Sequence, residues 1–151
     1  FEVSDANGNT VSQLLDFYID IPEFIISTGS IDIGVIDHLS ESFSDTVTVT
    51  VRTLGAGFDV TMNTTTLPSY SSESLSDWDG SDGFGYQASP FSGTITTIAS
   101  NQNIASQASG INTNGQKNTY TYDIQLGALI EQTQSAGNYI GSIDFGIELD
   151  Y

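Results

Sequence analysis

The residue types that usually carry out hydrolysis are sparse in this sequence. The single histidine, His38, follows Asp37, but no serine lies in a G-x-S-x-G turn and the chain has no cysteine. A triad of nucleophile, histidine and carboxylate therefore has no recognisable nucleophile. The six glutamates, which a glycosidase would need as a close pair, are scattered along the chain: Glu2, Glu23, Glu41, Glu73, Glu131 and Glu148. We therefore expect no catalytic residues, and a protein that is not an enzyme.

An acidic loop at residues 77–83 has the composition of a calcium site. It reads D-W-D-G-S-D-G, so Asp77, Asp79 and Asp82 stand two and three residues apart beside glycines. Carboxylate oxygens are the hard ligands that Ca²⁺ prefers. The loop departs from the EF-hand pattern, since the twelfth position is Ala88 instead of a bidentate carboxylate. The sequence predicts Ca²⁺ as the one cofactor, and a solvated turn is the alternative.

Aromatic residues accompany the same loop. Trp78 lies within it, and Phe84 and Tyr86 follow directly. Aromatic rings beside a polar side chain such as Asp79 can stack on the faces of sugars. The alternative is that Trp78 anchors the loop to the body of the domain. Sugar stacking predicts an exposed, glycan-binding surface, whereas anchoring of the loop predicts a buried Trp78 indole.

The charge of the chain excludes several classes of partner. Two basic residues against 19 acidic ones give 2 − 19 = −17. Such a chain repels nucleic-acid phosphates and anionic lipids, and no apolar run reaches the ~20 residues of a membrane helix. We expect no nucleic-acid binding and no membrane insertion. The sequence begins with Phe1 and has no leader-like segment, so we expect an extracellular, cell-surface protein whose signal peptide has been removed. An acid-adapted protein of a salty cytoplasm is the alternative.

The apolar pattern has a period of two, which indicates β-strands. In residues 139–151 the odd positions are mostly apolar and the even positions include Asp144, Glu148 and Asp150. Residues 46–52 and 58–62 alternate in the same way around a glycine-rich break, which predicts a hairpin. About eight to ten such strands predict an all-β fold, a single antiparallel β-sandwich of the immunoglobulin-like or jelly-roll kind.

The remaining segments are assigned from the same pattern. Further strands are expected at 15–21, 24–26, 31–36, 94–98 and 120–126. The polar stretches 63–83 and 99–119 are expected to connect strands, the first over the surface and the second with one helical turn. A short helix is expected at 126–134, ending near Gly137.

The ends of the chain suggest how copies could associate. Residues 1–13 are mostly polar, with Phe1, Val3 and Val11 as their sizeable apolar side chains, and residues 14–151 form the sandwich domain. An extended segment with spaced apolar side chains can add a strand to the open edge of a neighbouring sheet. Repetition of that contact from head to tail gives an open filament. The alternative is a monomer whose ends pair within its own sheets.

Two segments of the sequence carry a resemblance to a known family. Residues 136–145, A-G-N-Y-I-G-S-I-D-F, resemble the last strand of bacterial fimbrial and pilus subunits, which are immunoglobulin-like surface sandwiches, and residues 20–26, D-I-P-E-F-I-I, resemble their early strand region. The resemblance implies a filament subunit joined to its neighbours by strand exchange. The missing disulfide departs from many pilins, so the assembly class stays open.

We therefore predict a structural subunit of an extracellular filament, a homopolymer in which Phe1, Val3 and Val11 contact the neighbouring copy. The alternative is a secreted, calcium-dependent adhesin or carbohydrate-binding module that contacts a glycan or a host cell surface. Because subunits of charge −17 repel one another, assembly should be promoted by divalent cations or high salt.

Overall fold

A computed structural model describes residues 2–4, 10–12, 20–36, 38, 40–110 and 115–150. Its strands, in chain order, are β1 (Glu2–Ser4), β2 (Thr10–Ser12), β3 (Glu23–Ile26), β4 (Ser42–Phe43), β5 (Val47–Thr53), β6 (Gly57–Tyr70), β7 (Glu73–Ser74), β8 (Gly83–Ala88), β9 (Gln102–Gln107), β10 (Asn118–Leu129) and β11 (Ile140–Asp150). These residues include no helix, and hence none long and apolar enough to cross a membrane.

The first sheet is built around β10. On one side, β10 pairs with β5 and, further along, with β4; on the other side it pairs with β8. β3 adds to the far side of β5. Between β4 and β5 the ladder is interrupted at Ser44, whose Oγ accepts a hydrogen bond from the Leu126 N–H at 3.0 Å. The side chain thus replaces a backbone partner, and the pairing resumes beyond it.

The second sheet is built around β6, which is fourteen residues long. β11 pairs with β6 over most of its length, while β9 and β7 share the opposite side of β6. Every paired strand in both sheets is antiparallel. The two sheets of the described residues, nine strands together, pack face to face as a single β-sandwich. This confirms the fold class predicted from the alternating pattern.

The core lies between the sheets and is filled by alternate residues of the strands. β5 and β10 of the first sheet supply valine, isoleucine and leucine side chains, and β6 of the second supplies Phe58, Val60 and Met62. The Phe58 ring meets the Tyr120 ring edge-on with centroids 5.4 Å apart. The core members are Val47, Val49, Val51, Phe58, Val60, Met62, Leu75, Phe84, Tyr86, Ile98, Ile124, Leu126 and Ala128.

The predicted hairpin between residues 46–52 and 58–62 is wrong. β5 and β6 lie in different sheets, so the chain crosses from one layer to the other at residues 54–56. The Asp20 carboxylate holds this corner by accepting hydrogen bonds from Thr53 Oγ1 and from the backbone N–H groups of Leu54 and Ala56. Alternation places the same side chains inward in a hairpin or a crossing, so the pattern alone could not distinguish the two.

Several segment boundaries also differ from the prediction. Residues 31–36 form no strand, although Ile31, Ile33 and Ile36 pack against the core. The polar stretches hold strands instead of connections, because β6 continues to Tyr70 and β9 lies within 99–119. The helix expected from residue 126 is wrong, since β10 continues to Leu129. Within 94–98 the structure has one bridge, between Thr96 and Tyr86.

Candidate functional site

Among the described residues, β3, β9 and β11 are border strands at which this sandwich can take another strand, and β9 pairs with β6 alone. Within the described residues, β3 pairs with β5 alone and β11 pairs with β6 alone. Each therefore has one side with no partner strand in that part of the chain. Unpaired backbone groups at a sheet edge are a template for pairing with another chain.

The β3 border carries both backbone groups and exposed apolar side chains. Ser27 N donates to Thr48 O at 3.0 Å, and antiparallel ladders alternate between bonded and non-bonded pairs. The N–H and C=O groups of Phe24 and Ile26 therefore point away from β5. Beside them, Ile25 is 51% exposed and Ile21 is 70% exposed. This border thus offers hydrogen-bonding groups together with apolar surface.

Both basic residues of the chain lie at the β3 border. Arg52 Nη1 and Lys117 Nζ each lie 2.8 Å from a carboxylate oxygen of Glu23, and Lys117 also donates to the Ile21 carbonyl at 2.6 Å. The Lys117 hydrogen bond, together with the charges of both cations, lowers the pKa of Glu23 despite its partial desolvation. One carboxylate thus binds the only two cations that the sequence contains.

Asp20 completes the charge balance of this border. Burial alone would raise the pKa of Asp20, but hydrogen bonds from Thr53, Leu54 and Ala56 and the charge of Lys117 together lower it. Its Oδ2 accepts these bonds, while its Oδ1 is buried with no hydrogen-bond partner among the described residues. Asp20 and Glu23 against Arg52 and Lys117 give 2 − 2 = 0, so the cluster around β3 is formally neutral.

The β11 border is acidic by contrast. Its exposed face carries Asp144, Glu148 and Asp150, and Glu148 stands directly opposite Asp59 on β6. Like charges directly opposite each other destabilise a sheet. No basic side chain can balance these carboxylates, because both cations of the chain are held at Glu23.

The predicted donor segment forms a small sheet of its own. β1 and β2 pair antiparallel, with Glu2 opposite Ser12 and Val3 opposite Val11, and they belong to neither sheet of the sandwich. Phe1 lies outside the described residues. The role of Phe1, Val3 and Val11 as polymer contacts stays a prediction, and donation to a neighbour would require this pairing to open.

The acidic loop forms a turn that satisfies its own hydrogen bonds. Asp79 Oδ1 accepts from the Ser81 N–H at 2.8 Å, from the Ser81 hydroxyl at 2.7 Å and from the Asp82 N–H at 3.2 Å. These bonds, led by the Ser81 hydroxyl, lower the pKa of Asp79. Across the described ranges no group of three or more His, Cys, Asp or Glu side chains is arranged to hold a metal. Calcium binding by Asp77, Asp79 and Asp82 stays a prediction.

The aromatic residues near this loop are buried. Trp78 is 8% exposed and Tyr86 is 7% exposed. The Trp78 backbone is fixed on both sides, because its N–H donates to Phe84 O at 2.9 Å and its carbonyl accepts from the Thr97 hydroxyl. Neither ring presents a free face on which a sugar could stack. The arrangement matches an indole that anchors the loop.

Shallow clefts elsewhere are polar and small. One of about 200 Å³ lies between the acidic loop and the chain after β10, with Asp82 and Glu131 in its wall. Another of about 430 Å³ lies along β6 and includes Thr64 and Asp77. Neither has the apolar lining typical of small-molecule sites. His38 is exposed and lines neither cleft.

The cluster at the β3 border was missed by sequence reasoning. Asp20 and Glu23 are separated from Arg52 and Lys117 by 29 to 97 positions, so no local motif links them. The available signal was the scarcity of basic residues: in a chain of charge −17, its two basic side chains are expected to form ion pairs with carboxylates. Comparison with known proteins adds no further assignment: no protein-family model matches the sequence, and no curated protein is significantly similar to it.

Proposed function

We propose that this protein is a structural subunit of an extracellular filament, polymerising by β-strand exchange between neighbouring subunits. The N-terminal segment, residues 1–13, is the donor. The observation that carries the proposal is the sandwich with open borders: β3 and β11 each pair on one side only within the described residues. The extracellular location rests on the polar composition, which is poor in lysine and rich in Ser, Thr, Asn and Gly, and on the resemblance to fimbrial subunits.

Strand addition at such a border requires little from the incoming segment. Its backbone supplies hydrogen bonds to the border strand, and alternate side chains supply specificity. β1 and β2 pair over three residues each, so opening them breaks a short ladder while a longer one can form with the neighbour. Because donor and acceptor are different parts of the subunit, each contact leaves both a free donor and a free acceptor at the ends. Such a head-to-tail contact gives an open filament when its rotation does not close into a ring, and an open filament is the product that we propose.

The proposal is tested by comparing full-length protein with a deletion of residues 1–13. Both are examined by size-exclusion chromatography and negative-stain microscopy, with and without divalent cations and high salt. The full chain should form filaments, and the deletion should remain monomeric. Two double variants distinguish loss of the apolar contacts from loss of the whole segment. Val3→Ser with Val11→Ser should weaken assembly, while the control, Asn7→Ser with Asn9→Ser, should not. Filaments from the deleted protein would show that the donor is misassigned, and a full chain that stays monomeric would overturn the filament function.

A further inference from the structure

We propose that the β3 border, and not the β11 border, accepts the N-terminal segment of a second copy of this chain. This inference rests on the proposed function and deepens it by naming the surface that the donor occupies. Within the described residues, β3, β9 and β11 each pair on one side only. β9 (Gln102–Gln107) is uncharged but has no large exposed apolar side chain, and β11 is acidic, so β3 alone combines a formally neutral cluster with large exposed apolar side chains.

The donor is itself acidic. Residues 1–13 contain Glu2 and Asp5 and no basic residue, which gives this segment a formal charge of −2. Its apolar side chains are spaced along an otherwise polar segment. Such a strand pairs best with a border that is not negatively charged and that has exposed apolar side chains.

The β3 border meets both conditions. Arg52 and Lys117 offset Glu23 and Asp20, so this cluster is formally neutral in a chain of charge −17. The Arg52 side chain is 45% exposed and remains accessible to an approaching carboxylate. Ile21 and Ile25 are more than half exposed, and covering them removes apolar surface from water.

The β11 border fails the charge condition for an acidic donor, although Ile140 at its start is exposed. Asp144, Glu148 and Asp150 are exposed along it, with Asp59 opposite Glu148. Charged side chains on a border strand are a known protection against unwanted pairing. Pairing of β11 with β11 of another copy would bring the carboxylates of both strands close to one another, which is unfavourable. The charges therefore keep this border free while β3 accepts the strand.

Single-cysteine cross-linking tests this assignment directly, because the natural chain has no cysteine. Full-length Val3→Cys is mixed with full-length Ile25→Cys under mild oxidation, and covalent dimers are measured. The matched control replaces Ile25→Cys by Ile140→Cys, an isoleucine of β11 that is 68% exposed. Glu148→Cys, further along β11, serves as a second control. We expect at least about tenfold more heterodimer with Ile25→Cys than with either control at low salt.

A charge variant adds a second readout. Arg52→Gln in the Ile25→Cys chain removes one positive charge from the acceptor and should reduce the heterodimer yield severalfold. Glu148→Gln removes a charge from β11 and should leave the yield at Ile25→Cys unchanged. A structural role of Arg52 would instead appear as a lower melting temperature, which circular dichroism measures in the same samples.

Each outcome separates the acceptor assignment from the filament function. Cross-links at Ile25 without filaments support the β3 acceptor and overturn the filament function. Filaments whose Val3→Cys cross-links fall on Ile140→Cys or Glu148→Cys overturn the β3 acceptor and leave the function standing. Equal yields at both borders, or no heterodimer at either, overturn the acceptor assignment.

Discussion

Asp20 is expected to stabilise the crossing between the two sheets, and replacing it with alanine isolates that effect. Leu54 N donates to Asp20 Oδ2 at 2.8 Å, and no other acceptor is recorded for it in the described residues. Ala56 N keeps a second acceptor, Thr53 Oγ1, at 2.9 Å. Asp20→Ala thus leaves one backbone donor unpaired in a half-buried corner and removes a charged acceptor. Loss of such a bond costs about 2 kcal/mol of unfolding free energy.

Urea unfolding followed by circular dichroism measures this change. A loss of about 2 kcal/mol lowers Tm by roughly 4–8 °C for a chain of this size. Asp32→Ala is the matched control, because the exposed Asp32 accepts one hydrogen bond, from the Gly34 N–H, within its own turn. It should change the unfolding free energy by less than about 0.5 kcal/mol. Equal effects of the two substitutions, or a loss of less than about 0.5 kcal/mol for Asp20→Ala, would refute the conclusion that Asp20 stabilises the crossing between the sheets.

The same substitution should alter the dependence of stability on pH. Because the pKa of Asp20 is lower in the folded protein than in the unfolded chain, its stabilising effect is fully present above the ordinary aspartate pKa. That effect is lost as the pH falls through the lower folded-state value. Asp20→Ala should therefore differ from the natural protein most at neutral pH and least in strong acid. A difference that grows in acid would contradict the sign of the shift.

The remaining predictions concern packing around Gly85, the hydrogen bond between Glu73 and Tyr139, calcium binding, and the effect of salt on assembly. In Gly85→Ala the added Cβ would clash with the Thr96 carbonyl oxygen, so the substitution should lower the unfolding free energy in urea by about 1–3 kcal/mol; a neutral result would contradict this packing. The Tyr139 hydroxyl donates to the Glu73 carboxylate at 3.1 Å. Desolvation is the largest cause that raises the pKa of Tyr139, and this hydrogen bond is the next, so Glu73→Gln should lower the pKa of Tyr139 in a spectrophotometric titration. Calcium added to chelator-treated protein should raise Tm, and Asp79→Asn should abolish the rise; an unchanged Tm would end the calcium prediction. Light scattering should show faster assembly in high salt or with divalent cations than in salt-free chelating buffer. Subunits of charge −17 repel one another, and a Debye length of about 10 Å at 0.1 M salt screens only part of that repulsion, so further salt should increase the rate.

The sandwich could be predicted from sequence because alternation fixes which side chains face the core. The valines of β5 and the alternate residues of β11 were identified in this way, and the strand predicted at 139–151 is β11. Alternation does not say which strands are neighbours, so the crossing between β5 and β6 was read as a hairpin. The deciding contact is made by Asp20, more than 30 positions away.

Polar composition misled the assignment of strands on the exposed face. β6 continues through Thr64, Thr65 and Thr66 because β11 pairs with it along that stretch, although its outward residues are polar. β9 has the same composition and is held by β6. Tertiary pairing overrides weak local preference in such strands. The β3 border escaped prediction for a related reason, since its charges come from distant segments.

The central claim is that a strand from a neighbouring copy completes this sandwich at β3. Hydrogen exchange of assembled and monomeric full-length protein, resolved by residue, tests that claim most directly. The amides of Phe24 and Ile26, which point away from β5, should exchange much more slowly in the assembly, while those of β11 should not change. Unchanged exchange at Phe24 and Ile26 in filaments, or new protection confined to β11, would contradict the account.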